Sequence, residues 1–166
     1  MRIATWNVER LKHYKEKDLM LSEIEKASAD ILVLTETDIR LMPDFPHYYQ
    51  TPLLAGLQPI YYADTENRVS VFSKYECLGH YETYDKNTAI CAWLATDRGN
   101  LLVYGTIIGI TGNRRPDFIP DLKAQMEDVR RLTSEGHNIC VIGDYNLSFA
   151  DNWYYTAFGR GILLQS

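Results

Sequence analysis

Short apolar runs alternate along the 166-residue chain with segments in which apolar residues recur every three or four positions. The runs are typical of strands, and the wider spacing is typical of the buried face of a helix. Helices are therefore predicted over 15–28 and 117–135, with Gly136 ending the second, and a short helix is predicted over 150–160. Strands are predicted over 2–7, 30–36, 68–74, 79–84, 88–95, 101–109 and 138–143.

The order of these elements indicates the fold class. Four consecutive apolar residues at 31–34 suit a strand in a sheet that is covered on both faces. Four prolines within 37–60 predict a loop there. Strand–helix–strand, then hairpin-like strands, then helix–strand predict a mixed α/β protein, with two sheets packed face to face and helices outside. No repeat or linker divides the sequence, so residues 1–166 are interpreted as a single domain.

Composition and charge argue against several classes of protein. The chain is 46% hydrophobic and 23% charged, as in ordinary globular proteins, and no apolar run approaches the roughly 20 residues that span a bilayer. The start of the chain does not resemble a signal peptide, and three widely spaced cysteines suit a reducing compartment, so a cytoplasmic location is predicted. The net charge of −5 and the lack of a basic stripe argue against tight binding of long duplexes.

Polar side chains stand at the carboxyl ends of three predicted strands. Asn7 follows IATW, Glu36 follows ILVLT, and Asp144 with Asn146 follows ICVIG. In open α/β sheets, ligands bind where such strand ends meet. Oxygen ligands with few charges suit Mg²⁺ or Mn²⁺, whereas the absence of His and Cys disfavours Zn²⁺. Taken singly, each residue also fits a turn or cap, because Asp and Asn readily bond their own backbone.

Four segments carry a resemblance to a known family. ATWNVE at 4–9, LVLTETD at 32–38, NRVSVFSKY at 67–75 and VIGDYN at 141–146 resemble the ordered motifs of the endonuclease/exonuclease/phosphatase superfamily, which has the DNase-I-like fold. The family's usual Gln before the metal-binding Glu is Thr35 here. The resemblance implies a four-layer α/β sandwich of two packed mixed β-sheets flanked by helices. It also implies hydrolysis of phosphate esters, which range in this family from nucleic acids to phosphoinositides and sphingomyelin.

The resemblance also assigns roles to the strand-end residues. Glu36 would be the principal metal ligand, with Asn7 beside it as a metal-binding and catalytic residue. Asp144 and Asn146 would be catalytic, positioning the attacking water and holding the scissile phosphate. The loop residues Asn113, Arg114 and Arg115 are candidate phosphate ligands, because Arg suits bidentate phosphate contacts, or else form a solvated turn. Arg68 is interpreted as an ordinary strand-edge charge.

Two departures from the family pattern matter. Ile107 stands near the position where the family commonly has His or Tyr, and the family's final Ser-Asp-His is absent. Each of the four histidines is predicted to face solvent, so no general acid/base His is expected; they are His13, His47, His80 and His137. We therefore expect a domain that is incomplete at its C-terminus, which binds divalent metal but turns over weakly or not at all.

Three functional hypotheses follow. The first is a metal-dependent phosphoesterase that acts on a phosphorylated substrate, either a nucleic acid or a small phosphoester. The alternative is a non-catalytic member that uses the same fold for binding. The third is a chain that self-associates through an open sheet edge, because unpaired strand edges invite pairing.

Overall fold

The structure is a computed structural model that describes residues 1–57, 61–109 and 117–146. Two α-helices, α1 (Lys17–Ala27) and α2 (Phe118–Ser134), occur with eight strands in these ranges. Short 3₁₀ turns cover Glu9–Leu11, Tyr14–Glu16 and Leu54–Gly56. The strands are β1 (Ile3–Asn7), β2 (Ile31–Asp38), β3 (His47–Gln50), β4 (Glu66–Ser73), β5 (Cys77–Tyr81), β6 (Ala89–Thr96), β7 (Gly99–Ile107) and β8 (Ile139–Asp144).

The strands form two four-stranded mixed sheets. The first has the order β1-β2-β4-β3, in which β1 and β2 are parallel and the other neighbours are antiparallel. The second has the order β5-β6-β7-β8, in which only β7 and β8 are parallel. Each sheet thus contains one parallel pair whose carboxyl ends meet at an edge of the sheet, and these pairs carry the predicted site residues.

Three apolar layers hold the sandwich together. The middle layer joins the inner faces of the two sheets through residues such as Val33, Val71 and Val103. On the outer face of the first sheet, Met20 and Ile24 of α1 pack against Leu32 and Leu34. The helix α2 covers the second sheet in the same way, with Phe118, Leu122, Met126, Val129 and Leu132 on its buried side. The predicted four-layer α/β sandwich is therefore confirmed.

The sequence-based boundaries differ from the structure in the first half of the chain. The segment 37–60, predicted as a loop, contains β3 and a 3₁₀ turn, and the helix predicted from residue 15 begins at Lys17 after two 3₁₀ turns. Gly136 does end α2, with a positive φ of 85° and an N–H bonded to the Thr133 carbonyl. The helix predicted over 150–160 lies outside the described residues. Within the described ranges, no helix has the length and apolar character that a membrane crossing requires.

Candidate active site

Three strand ends meet at one edge of the sandwich. Asn7 ends β1, Glu36 lies near the end of β2, and Asp144 ends β8 on the facing sheet. The side-chain amide of Asn7 donates to both carboxylates, to Glu36 Oε1 at 3.3 Å and to Asp144 Oδ2 at 2.7 Å. Residues that are up to 137 positions apart in sequence therefore converge on a single NH₂ group. We call Asn7, Glu36, Asp144 and Asn146 the strand-end centre.

The backbone after β1 fixes the orientation of the Asn7 amide. Its Oδ1 accepts the Glu9 N–H at 2.9 Å, which directs the NH₂ group toward the two carboxylates. The chain then makes a left-handed turn, with φ of 50°, 59° and 53° at Glu9, Arg10 and Leu11. Left-handed conformations cost L-residues roughly 1–2 kcal/mol each, so surrounding contacts must hold this turn. One of them is Arg10, whose guanidinium binds Glu66 Oε2 at 2.8 Å.

Glu36 has an unusual backbone for a residue within a strand. The antiparallel register of β2 and β4 is the same on both sides of it, with Thr35 opposite Val69 and Thr37 opposite Asn67. Glu36 itself has a φ of 46°, in the left-handed region. Such positions are strained for a side chain with a Cβ and are concentrated at functional sites.

Asp144 is held by a tight turn that needs glycine. Asp144 Oδ1 accepts the Asn146 N–H at 2.8 Å, while the Asn146 amide donates to the Ile108 carbonyl at 2.8 Å. Gly143 has a φ of 145°, and a Cβ there would lie 1.9 Å from the Thr106 carbonyl oxygen. The Asp-x-Asn segment is thus a turn, as one interpretation of the sequence expects. The same turn leaves Oδ2 facing Asn7, so the turn and a functional role are compatible.

Two buried oxygens on the strands beside Glu36 have no hydrogen-bond donor among the described residues. They are Thr35 Oγ1 and Asn67 Oδ1. Asn67 is fixed in orientation, because its NH₂ group donates to the Val69 carbonyl and to Ser70 Oγ. Unpaired buried oxygens are uncommon in folded proteins and need an explanation such as bound water or an ion. The sequence marked Thr35 only as a departure from the family motif and Asn67 only as part of one, and it predicted neither as an unpaired oxygen.

Ile107 lies beside the centre in the sheet, because it pairs with Asp144 across β7 and β8. Ile107 is fully buried in the layer between the sheets, and its neighbour Tyr104 points to α2, where its hydroxyl bonds Asp128 Oδ2 at 2.9 Å. Burial raises the pKa of the Tyr145 phenol, which keeps this residue, between Asp144 and Asn146, in its neutral form. Asn113, Arg114 and Arg115 lie outside the described residues, so their predicted role as phosphate ligands stays a prediction.

The histidines make contacts of their own. His13 is 61% exposed and lies within 4.0 Å of Glu9 and Glu16. His80 is exposed and its ring contacts that of Tyr49, whereas His137 is only 24% exposed and contacts the ring of Tyr81. The remaining one, His47, is half-buried on β3. The prediction that all four face solvent therefore holds well only for His13 and His80.

The donor chemistry of the strand-end centre fits a hard divalent cation. Its two carboxylates supply oxygen ligands of the kind that Mg²⁺ prefers, and the Asn7 NH₂ group donates to both of them. Two carboxylates that share one neutral amide donor concentrate negative charge, which a cation would offset. In the described part of the chain, no group of three or more His, Cys, Asp and Glu side chains has metal-binding geometry. A site here would therefore depend on amides, water or substrate for its remaining ligands.

Comparison with known proteins identifies the family. A model of the Endonuclease/Exonuclease/phosphatase family matches residues 4–164, and the chain therefore belongs to this family. Solved structures also share the fold. The 3′ phosphatase NExo from Neisseria, bound to a product DNA hairpin, is 19% identical with a TM-score of 0.70, and the match covers 99% of this chain and 69% of that one.

Two further structures illustrate the range of proteins with this fold. An AP endonuclease from Archaeoglobus fulgidus is 15% identical with a TM-score of 0.65, covering 99% of this chain and 69% of that one. A beta toxin from Staphylococcus aureus with bound magnesium ions is 16% identical with a TM-score of 0.65, and the match covers 97% of this chain and 68% of that one. A search of curated proteins gave no match. The DNase-I-like fold that the motifs imply is confirmed, and the chain carries a nuclease- and phosphatase-type phosphoesterase fold.

Proposed function

We propose that this chain is a phosphoric ester hydrolase that depends on Mg²⁺ or Mn²⁺, with the strand-end centre as its active site. The observation that carries the proposal is the convergence of Glu36 and Asp144 on the amide of Asn7. Membership of the family and the magnesium-containing beta toxin of the same fold support it. In this proposal Glu36 is the principal metal ligand, and Asn7 orients the two carboxylates and belongs to both the metal-binding and the catalytic set.

The roles of the individual residues follow from their contacts. A bound divalent cation would offset negative charge on the phosphoryl oxygens. Asp144 Oδ2 lies beside the Asn7 amide and retains a lone pair, with which it would accept the proton of the attacking water. Its Oδ1 is held by the Asn146 N–H, which fixes the carboxylate plane. Asn146 would hold the scissile phosphate, and its bond to the Ile108 carbonyl sets the position of its amide.

Hydrolysis of bis(p-nitrophenyl) phosphate and p-nitrophenyl phosphate, with Mg²⁺ or Mn²⁺ and with EDTA, tests this proposal. Asp144→Asn should reduce the metal-dependent rate by a factor of about 10² or more, as loss of a general base typically does. Glu36→Ala should weaken metal binding in a calorimetric titration, whereas Glu127→Gln, at a carboxylate that is 74% exposed, should change neither quantity. Equal metal binding by the Glu36→Ala variant and the wild type would contradict the site assignment.

A second candidate function is binding without catalysis. Two observations favour it: among the described residues no histidine is hydrogen-bonded to the centre, and buried Ile107 stands near the position where the family commonly has His or Tyr. Metal binding without metal-dependent hydrolysis of either ester would support this function. Weak turnover, self-association through a sheet edge and a cytoplasmic location all stay predictions from the sequence.

A further inference from the structure

Cys77 and His80 form a pair of reactive side chains away from the strand-end centre. Both lie on β5, one edge strand of the second sheet, whereas Asp144 lies on β8 at the opposite edge. Cys77 Sγ is 3.9 Å from His80 Nε2. A thiol that can pass its proton to a neighbouring imidazole is an activated nucleophile. The proposed hydrolysis uses neither residue.

A β-bulge brings these two side chains together. In a regular strand, residues three positions apart point to opposite faces of the sheet. The register of β5 against β6 shifts between Cys77 and Gly79, so Leu78 is an extra residue and the alternation of faces changes by one. Cys77 and His80 therefore face the same side. Their partners on β6 both belong to the apolar layer between the sheets, and they are Leu94 and Ala92.

The hydrogen bonding of the pair shows which group would accept the thiol proton. Cys77 Sγ donates to the Gly79 carbonyl at 2.9 Å, a contact that holds the proton on sulfur. His80 Nε2 carries a lone pair in one tautomer and is the base within reach. His13 and His137 lie within 4.0 Å of glutamates, whereas no described carboxylate lies that close to His80. No neighbouring negative charge therefore holds the His80 ring in its charged form.

The surroundings of the pair favour a covalent reaction over a metal site. His80 is exposed and Cys77 is half-buried at the sheet edge, so a small reagent can reach the sulfur. The ring of Tyr49 on β3 meets the His80 ring edge-on, with 5.1 Å between ring centres, and burial raises the pKa of its phenol, which stays neutral. In the described part of the chain, no third His, Cys, Asp or Glu joins the pair in a metal-binding group. Zinc sites use three or four such ligands.

The other two cysteines lack this arrangement. Cys91 is only 1% exposed, and burial raises the pKa of its thiol to about 12. Burial also raises the pKa of the Cys140 thiol. Among the described residues, no histidine is hydrogen-bonded to either sulfur. Cys77 is therefore the thiol that should react first in the folded protein.

We propose that Cys77 is a modification site, at which a low-molecular-weight disulfide of the glutathione disulfide class forms a mixed disulfide with the protein. His80 takes the proton of Cys77, and the sulfur attacks one sulfur of the disulfide. A new S–S bond joins Cys77 to that half of the reagent, the original S–S bond breaks, and the other half leaves as a thiolate that takes the proton from His80. Cys77 is oxidised and the leaving sulfur is reduced, so the disulfide itself is the only oxidant required.

Thiol exchange with 5,5′-dithiobis(2-nitrobenzoic acid), an aromatic disulfide that releases a coloured thiolate, tests this proposal. With the folded protein at neutral pH, one thiol should react in a fast phase that Cys77→Ser removes, and mass spectrometry should locate the mixed disulfide at Cys77. His80→Gln should slow this phase by about tenfold or more, because it removes the general base. His13→Gln, at a histidine that is 61% exposed on another part of the chain, should leave the rate unchanged.

The direction of the His80→Gln effect separates a base from a packing role. Loss of the ring contact with Tyr49 would expose Cys77 further, so a packing role predicts a faster reaction. In urea, the wild type and His80→Gln should react at equal rates, because the pair exists only in the folded chain. A fast phase retained in Cys77→Ser, an unchanged or raised rate in His80→Gln, or a difference that persists in urea would overturn the inference. None of these measurements depends on hydrolase activity.

Discussion

Replacing Glu36 by glutamine should stabilise this protein in EDTA and reduce the further stabilisation that Mg²⁺ provides. Glutamine has the shape of glutamate, and its Oε1 can still accept the Asn7 N–H that lies 3.3 Å from the carboxylate in the wild type. What the change removes is one of the two negative charges that converge on that amide. Without a cation, these charges repel each other, so their presence costs folding free energy.

The size of the effect follows from the half-buried position of the strand-end centre. Two unit charges about 4 Å apart repel by about 1 kcal/mol in water and about 4 kcal/mol at a protein surface of lower effective dielectric. Because the two carboxylates share a hydrogen-bond donor, we expect Glu36→Gln to raise the free energy of unfolding in EDTA by about 1–2 kcal/mol. Mg²⁺ at about 100 times its dissociation constant stabilises the wild type by about 2.7 kcal/mol. A tenfold loss of affinity would reduce that increment to about 1.4 kcal/mol.

Urea unfolding at neutral pH, followed by tryptophan fluorescence, measures both quantities. Each protein is unfolded in EDTA and again in Mg²⁺ at one fixed concentration. Glu127→Gln removes an exposed carboxylate and serves as the matched control, with no expected change in either condition. If Glu36→Gln lowers the stability in EDTA and keeps the full Mg²⁺ increment, then Glu36 is neither repelled by Asp144 nor a metal ligand, and the reasoning is refuted.

The sequence was sufficient to predict which residues meet. Asn7, Glu36 and Asp144 each follow an apolar run, and strands with apolar runs are buried and end at a common edge. These patterns lie in the local sequence, so they can be recognised without knowledge of the packing. The family motifs then assigned roles to these residues, which neither composition nor spacing alone provides.

What the sequence could not show depends on contacts between distant residues. The left-handed φ of Glu36 arises within a β2–β4 register that is unchanged on either side, and no local signal marks it. β3 was missed because its four residues lie among prolines and are held by pairing with β4. Arg68 was read as a strand-edge charge, since the sequence does not show that its guanidinium bonds the Tyr62 hydroxyl six positions earlier.

Three further predictions concern other parts of the described chain. Native-state alkylation at pH 8 should label Cys77 well before Cys91, because burial raises the pKa of the Cys91 thiol to about 12 and leaves almost no thiolate; comparable labelling of the two, read by mass spectrometry, would contradict this. Hydrogen bonds from the Arg2 N–H and from Lys74 lower the pKa of Asp30. The ionised carboxylate therefore stabilises the fold fully above the ordinary pKa of about 3.9, and this stabilisation is lost as the pH falls through the lowered pKa. The urea midpoint of Asp30→Asn should therefore fall less steeply than that of the wild type between about pH 5 and pH 2, and parallel curves would exclude this account. Gly143→Ala should cost about 3 kcal/mol or more, because the new Cβ would lie 1.9 Å from the Thr106 carbonyl oxygen at a backbone φ of 145°. Neither that carbonyl nor the turn can move without shifting Asp144, so the variant should also lose Mg²⁺-induced stabilisation. Gly79→Ala, whose new Cβ meets no atom within 4 Å, should keep both the stability and the Mg²⁺ response of the wild type. A Gly143→Ala protein of wild-type stability would show that the turn does not need glycine.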